Sequence, residues 1–155
     1  MSKLGNLCAA ALSCLVYTSD ASERTITLGN DRGGASGLYE QRAEALGPGT
    51  RVQLAGFCAS ACTIYLWRRY GLDVCALPGS TLLFHKPGFM EGLRPMTGPL
   101  WASEADRLWM EEDMAQLPRN IVQLLARAPI PSMSEGASPW EVVAIRALDV
   151  LPACE

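Results

Sequence analysis

The chain contains one histidine, His85, and an apolar segment that opens with a serine, Ser60. A serine hydroxyl becomes a nucleophile when a base takes its proton, and histidine is the usual base because it titrates near neutral pH. Any serine–histidine chemistry in this chain must therefore use His85. The amide of Ala61, at the predicted start of a helix, is a natural donor to a developing oxyanion. The Gly33-Gly34 turn offers a second donor at Gly33, since glycine lets a backbone amide face a substrate closely.

Each of these residues also has an ordinary structural role. Serine is a preferred helix N-cap, and Ser60 taken alone fits that role better than catalysis. The Gly33-Gly34 pair fits a tight turn, and a lone histidine such as His85 is more often a satisfied structural residue. Residue type alone therefore leaves both interpretations open, and the order and spacing of the motifs must decide between them.

The elements around these residues alternate between strands and helices. Short β-branched and apolar runs predict strands at residues 25–28, 51–54, 73–76 and 81–85. Apolar residues at helical spacing predict helices at residues 36–46, 60–67, 102–128 (broken near Pro118) and 140–148, with a turn at 56–59 and an irregular segment at 86–98. This alternation predicts an α/β fold with a mostly parallel sheet, in which ligands bind beyond the carboxyl ends of the strands. Gly33, Ser60 and His85 each follow such an end.

The motifs resemble those of the Clp protease proteolytic subunit and its relatives in the ClpP/crotonase superfamily. Residues 30–34 (Asn-Asp-Arg-Gly-Gly) resemble the family's Ser-Pro-Gly-Gly oxyanion turn, and residues 56–61 (Gly-Phe-Cys-Ala-Ser-Ala) resemble its Gly-x-Ala-Ala-Ser-Met/Ala nucleophile motif. Residues 77–87 keep every spacing of the family's Leu-Pro-Asn-Ser-x-x-x-Ile-His-x-Pro segment. The Cys-Ala-Ser-Ala-Cys sequence around the serine resembles a branch of predicted periplasmic members. The resemblance runs from about residue 25 to residue 151.

This resemblance implies both a fold and a function. The fold would be a ClpP/crotonase-like α/β domain over residues 22–155, with repeated β-β-α units and a mostly parallel sheet flanked by helices. Ser60 would be the nucleophile, His85 the general base, and the amides of Gly33 and Ala61 the oxyanion hole. The expected activity is that of a serine hydrolase, most simply a peptidase acting on a peptide or protein substrate through an acyl-enzyme. Relatives usually assemble as homo-oligomers, and no sequence feature indicates an unfoldase partner.

The third catalytic residue of that family, an aspartate, has no counterpart here. Its expected place falls near Ile130 or Pro131, and Glu135 is the nearest acidic side chain, with Asp106 and Asp113 as more distant candidates. The third residue orients the histidine and stabilises its charged form. Two functions therefore stay open, a Ser-His hydrolase and a catalytically inactive binding or assembly module. Crotonase-like thioester chemistry uses no Ser-His pair, which argues against it.

Six cysteines predict disulfides in an oxidising compartment, with buried free thiols as the alternative. Cys58, Cys62 and Cys75 are the candidates. On the implied fold, a bridge from Cys75 to either of the other two would pin the Ser60 helix to the sheet. No Cys-x-x-Cys pair accompanies the single histidine, so neither a metal nor a cofactor is expected.

The N-terminal residues bear on the compartment as well. An apolar run at residues 7–17, followed by a small residue at Ala21, predicts an export signal over residues 1–21 and a periplasmic location. The alternative is a core segment of a cytoplasmic protein. The net charge of −3 provides no basic face for a nucleic acid.

Overall fold

The computed structural model describes residues 24–92, 94–138 and 141–155. The predicted export signal at residues 1–21 lies outside the described residues. Within the described ranges, none of the helices combines the length and the apolar character that crossing a membrane requires.

The described residues form a mixed α/β fold. The strands are β1 (Thr25–Leu28), β2 (Arg51–Leu54), β3 (Phe57–Ala59), β4 (Asp73–Ala76), β5 (Thr81–Phe84), β6 (Met90–Glu91), β7 (Arg94–Pro95) and β8 (Val143–Arg146). The α-helices are α1 (Ser36–Leu46), α2 (Pro99–Leu108), α3 (Met114–Gln116) and α4 (Arg119–Leu125). Short 3₁₀ helices span Ser60–Leu66, Arg68–Tyr70, Met133–Glu135 and Ala147–Asp149, and a π-helical turn, Trp109–Asp113, joins α2 to α3.

The strands form two small sheets and one hairpin rather than a single, mostly parallel sheet. The first sheet has the order β1-β2-β4 and is wholly parallel. In the second, β5 lies between β3, which is parallel to it, and β8, which is antiparallel. The chain changes sheets at Gly56, where an added Cβ would lie 2.4 Å from Asn30 Oδ1. Only glycine fits this close approach, so the switch between sheets is fixed at this position.

The core lies between the sheets and the helices. β2 and β5 each alternate a buried with a partly exposed residue, as half-buried strands do, and contribute Leu54, Leu82 and Phe84. Ile121 and Leu125 of α4 pack into the same cluster. His85 directly follows β5, the central strand of the second sheet.

Four local predictions differ from the structure, and strand pairing explains three of them. The segment predicted as irregular at 86–98 contains the paired strands β6 and β7. Residues 56–59 contain β3 rather than only a turn, because residues 57–59 pair with β5. The predicted helix at 60–67 is a 3₁₀ helix, Ser60–Leu66. The predicted final helix at 140–148 is β8 followed by a 3₁₀ turn, because Val143 and Ile145 alternate with exposed residues and pair with β5. The predicted strands, the α1 boundaries and the helix break at Pro118 are confirmed.

Candidate functional site

Ser60 sits on a strained turn at the end of β3. Its φ of 54° makes it the one non-glycine residue with a positive φ among the described residues, a conformation that costs an L-residue about 1–2 kcal/mol. Two cross-links hold this turn. A disulfide joins Cys58 to Cys62 on either side of the serine, and Thr63 Oγ1 donates a 2.7 Å hydrogen bond to the Ser60 carbonyl. Strain that the surroundings enforce in this way is typical of functional positions.

The loop after β1 packs directly against this turn. The Asp31 N–H donates to Phe57 O at 2.8 Å, and the Ala59 N–H donates to Asp31 O at 2.9 Å. The loop is therefore bonded to β3 through both the amide and the carbonyl of Asp31. Gly33 has a φ of 77°, and a Cβ added there would lie 2.4 Å from Ala59 O and 2.8 Å from Ser60 Cβ. Gly33 is therefore the residue that allows the loop to approach Ser60.

Replacing Gly33 by alanine is expected to lower the free energy of unfolding by about 2 kcal/mol, because the new Cβ meets rigid backbone and the positive φ disfavours an L-residue. Urea denaturation followed by circular dichroism measures the loss. Gly34→Ala is the matched control, since its Cβ would meet nothing closer than a Tyr39 ring carbon at 3.9 Å. An equal loss in both variants would contradict the close-packing role of Gly33.

The two predicted oxyanion donors differ in their present bonding. The Ala61 N–H precedes the first i→i+3 bonds of the 3₁₀ helix, so helical geometry leaves it unpaired. The Gly33 N–H donates instead to Asp31 Oδ1 at 2.8 Å, and Asp31 Oδ1 also accepts from the Tyr39 hydroxyl at 2.6 Å. Among the described residues the Gly34 N–H has no acceptor. A second donor therefore has to come from Gly34, or from Gly33 after it releases Asp31.

His85 follows β5, and its ring is oriented by a backbone carbonyl. Its Nδ1 lies 2.7 Å from the carbonyl oxygen of Lys86. A carbonyl only accepts, so Nδ1 carries the proton and Nε2 carries the lone pair of the neutral ring. This is the tautomer that a general base requires, since Nε2 is then free to take a proton.

The structure places Glu135, the predicted third member, on Lys86. Glu135 Oε2 lies 3.3 Å from Lys86 Nζ, and Asp106 Oδ1 contacts the same ammonium at 2.5 Å. In the described part of the chain, no carboxylate bonds to His85 Nδ1, which the Lys86 carbonyl occupies. A main-chain oxygen, and not a carboxylate, therefore orients the His85 ring at Nδ1.

A small cavity brings together Ser60, His85 and an acidic residue. Ser60, Ala61, His85 and Asp113 line it, together with Ser36, Thr63, Ile64, Phe84, Pro87 and Trp109, and its volume is about 30 Å³. That volume accommodates on the order of one water molecule. Ser60 and His85, predicted from the sequence as a pair, therefore face the same small space.

Asp113 reaches this cavity from the π-helical turn Trp109–Asp113. Turns of this kind insert an extra residue into a helix and are frequent at functional sites. Burial, together with repulsion from Glu112 and Glu40, raises the pKa of Asp113 to about 7. The sequence predicted Asp113 only as a more distant candidate for the third catalytic residue, since it ends an acidic run whose other members, Glu111 and Glu112, are exposed.

The disulfides confirm the three candidate cysteines but not their predicted pairing. Cys58 pairs with Cys62, with a Cα–Cα distance of 5.3 Å, because the first turn of the 3₁₀ helix brings the two together. Cys75 pairs with Cys154, which was not among the candidates. The predicted bridge from Cys75 to Cys58 or Cys62 is wrong because Cys75 lies on β4 of the first sheet, beside the C-terminal residues.

Comparisons with known proteins add no assignment to this site. No protein-family model matches the chain, and no curated protein matches it. Within the described ranges, no group of three or more histidine, cysteine, aspartate or glutamate side chains is arranged to hold a metal ion. The chemistry of the site is therefore argued from its own geometry.

Proposed function

We propose that the chain is a serine hydrolase, most simply a peptidase, with Ser60 as nucleophile and His85 as general base. The observation that carries this proposal is the strained turn of Ser60 in a cavity shared with the correctly oriented His85. An ordinary helix N-cap has extended backbone dihedrals and caps an amide with its side chain. Ser60 does not hold that position: Ala59 is the N-cap of the 3₁₀ helix, and Ser60 follows it with a positive φ.

The steps follow from these positions. His85 Nε2 takes the proton of Ser60 Oγ as the oxygen attacks the substrate carbonyl, and the Ala61 N–H stabilises the resulting oxyanion. The Lys86 carbonyl accepts from Nδ1 and so holds the protonated ring in place. The ring then passes its proton to the leaving amine, and a water activated by the same Nε2 hydrolyses the acyl-enzyme.

The wider proposal concerns fold family and compartment. The parallel β1-β2-β4 sheet and the loop bonded to β3 support a Clp protease/crotonase-like domain. Two disulfides support an exported protein that works in an oxidising compartment such as the periplasm. The substrate would be a peptide or protein, and the chain would assemble as a homo-oligomer as the resembled family does.

A second candidate function is an inactive binding or assembly module of the same fold. Two observations favour it. The cavity of about 30 Å³ is too small for a peptide side chain of any size, and the Gly33 amide is engaged by Asp31. Under this alternative the strained serine would be a remnant without nucleophilic reactivity.

Labelling with a serine-directed fluorophosphonate separates the two functions. The oxidised, folded protein is expected to gain one covalent adduct by intact mass spectrometry, which Ser60→Ala abolishes and His85→Ala slows by about 1,000-fold. Ser36→Ala is the matched control, because Ser36 lines the same cavity and is not the proposed nucleophile. Absence of an adduct on the folded protein, or its loss in Ser36→Ala rather than Ser60→Ala, would refute the proposed hydrolase.

A further inference from the structure

Asp31, in the loop after β1, carries a carboxylate that is bonded to one of the two predicted oxyanion donors. Its Oδ1 accepts the Gly33 N–H at 2.8 Å and the Tyr39 hydroxyl at 2.6 Å. The main-chain amide and carbonyl of Asp31 already bind β3, so the loop is attached to the sheet without this side chain. The carboxylate therefore makes a contact at Gly33 that the attachment of the loop does not require.

Gly33 lies against the peptide that joins Ser60 to Ala61. A Cβ built on Gly33 would lie 2.8 Å from Ser60 Cβ and 2.9 Å from Ala61 N, so the main chain of Gly33 is adjacent to the other predicted donor. Oxyanion holes hold a negatively charged oxygen about 2.7–3.1 Å from such amides. The 2.8 Å between Gly33 N and Asp31 Oδ1 falls in this range. A carboxylate oxygen of the chain itself thus occupies the amide that a substrate oxyanion would use.

Tyr39 of α1 holds the carboxylate in this position. The Tyr39 ring is buried and packs edge-on against Tyr65, with 5.8 Å between the ring centroids. Burial and the hydrogen bond to Asp31 raise the pKa of Tyr39 to about 12, so the hydroxyl keeps its proton at neutral pH and remains a donor. Asp31 therefore has a fixed donor at Tyr39 while it engages Gly33.

We propose that Asp31 is an internal inhibitor of the Ser60 site, and that its carboxylate competes with the acyl oxygen of a substrate for the Gly33 N–H. This role rests on the proposed hydrolase function. When a substrate binds, the Gly33 N–H exchanges one acceptor for the other, Asp31 keeps its bond to Tyr39, and no proton is transferred. Until then the site lacks one of its two donors, and the carboxylate repels a negative charge that develops beside it.

Fluorophosphonate labelling of Ser60 tests this role, because inhibition and loop support predict opposite signs. Asp31→Ala frees the Gly33 N–H and removes the charge, and is expected to raise the labelling rate constant by about 10- to 100-fold. Asp31→Asn keeps the size and an acceptor oxygen without the charge, and is expected to raise it by about threefold. If Asp31 only supported the loop, both replacements would loosen the site and slow labelling.

Asp73→Asn is the matched control, because it removes a carboxylate on β4 that is paired with Arg51. Its labelling rate constant is expected to stay within about twofold of wild type. An unchanged or lower rate constant in folded Asp31→Ala protein would overturn the inhibitory role while leaving the hydrolase proposal intact. If alanine disturbs the fold, the sign of the change in Asp31→Asn decides in the same way.

A second measurement does not depend on the reactivity of Ser60. Inorganic phosphate is titrated into the Ser60→Ala protein, and the Gly33 amide is followed in a proton–nitrogen correlation spectrum. Adding Asp31→Ala is expected to tighten phosphate binding at Gly33 by about tenfold or more, because the competing carboxylate is gone. If neither the wild type nor Asp31→Ala is labelled, the hydrolase proposal fails and phosphate binding decides the role of Asp31. Tighter binding then supports the inhibitory role, and unchanged binding overturns it.

Discussion

Removing the Cys75–Cys154 disulfide by the double substitution Cys75→Ala/Cys154→Ala is expected to lower the free energy of unfolding by about 4.5 kcal/mol. The bridge closes a loop with a sequence separation of 79, and the entropy that such a closure removes from the unfolded chain corresponds to about that energy. The loss is a large share of the about 5–15 kcal/mol by which domains are stable. Urea denaturation of the oxidised protein, with fluorescence of the tryptophans as the signal, measures it.

The bridge also holds the chain terminus on the first sheet. The Ala76 N–H donates to Pro152 O at 2.9 Å, and the Cys154 N–H donates to Ala76 O at 3.0 Å. Without the covalent link this short pairing lies at the sheet edge, beyond β4, and is expected to fray before the core unfolds.

The Cys58–Cys62 bridge provides the comparison for this measurement. Its separation of 4 residues removes less entropy, and the same relation gives about 2 kcal/mol. Cys58→Ala/Cys62→Ala is therefore expected to lower the free energy of unfolding by less than Cys75→Ala/Cys154→Ala does, although it removes the disulfide that spans Ser60. Equal losses in the two double variants would contradict the entropic account and would point to packing of the buried sulfurs instead.

Local sequence patterns predicted the elements whose conformation depends mainly on neighbouring residues along the chain. The β-branched run of β1 and the periodicity of α1 between a glycine-rich turn and Gly47-Pro48 predict both elements with their observed bounds. The segment at 140–148 failed because Val143-Ala144-Ile145-Arg146 suits a strand or a helix. Pairing with β5 decides between the two, and no local pattern reports that pairing.

The sequence predicted which residues line the site but not the backbone conformation that places them there. Ser60 and His85 were found because each follows a strand end, and the cavity contains both. The left-handed φ of Ser60 was not predictable, since no local pattern reports the close packing of Gly33 against this turn. Glu135 was selected by its distance along the sequence, which says nothing about the salt bridge to Lys86 that holds it.

The orientation of Asp113 was also not predictable from the sequence pattern around it. As the end of the run Glu111-Glu112-Asp113 it reads as part of a solvated helix face, and its two neighbours are indeed exposed. Asp113 is the last residue of the π-helical turn, whose wider winding shifts its angular position, and it lines the cavity while Glu112 is exposed. A helical-wheel analysis with a period of 3.6 residues cannot find such a residue.

Asp113→Asn is expected to stabilise the protein above neutral pH by about 3 kcal/mol. The folded-state pKa of Asp113 is raised from 3.8 to about 7, so between these values the unfolded chain releases a proton that the folded chain retains. Stability therefore falls as pH rises through this window. The full linkage amounts to about 4 kcal/mol, which partial solvent exposure of the side chain reduces. Asparagine has a similar shape and no charge, and so escapes this penalty.

Urea denaturation at several pH values, from about 3.5 to about 8, gives the difference in unfolding free energy between Asp113→Asn and wild type. The difference is expected to be near zero at the acidic end, to grow through the window, and to level off above pH 7. Glu112→Gln, on the same turn but exposed, is the control and should change stability by no more than about 0.5 kcal/mol. A constant difference across pH would mean that Asp113 ionises normally in the folded protein. A gain in stability above neutral pH would show that the chain keeps a partly buried acid beside Ser60 and His85 at a cost to its own stability.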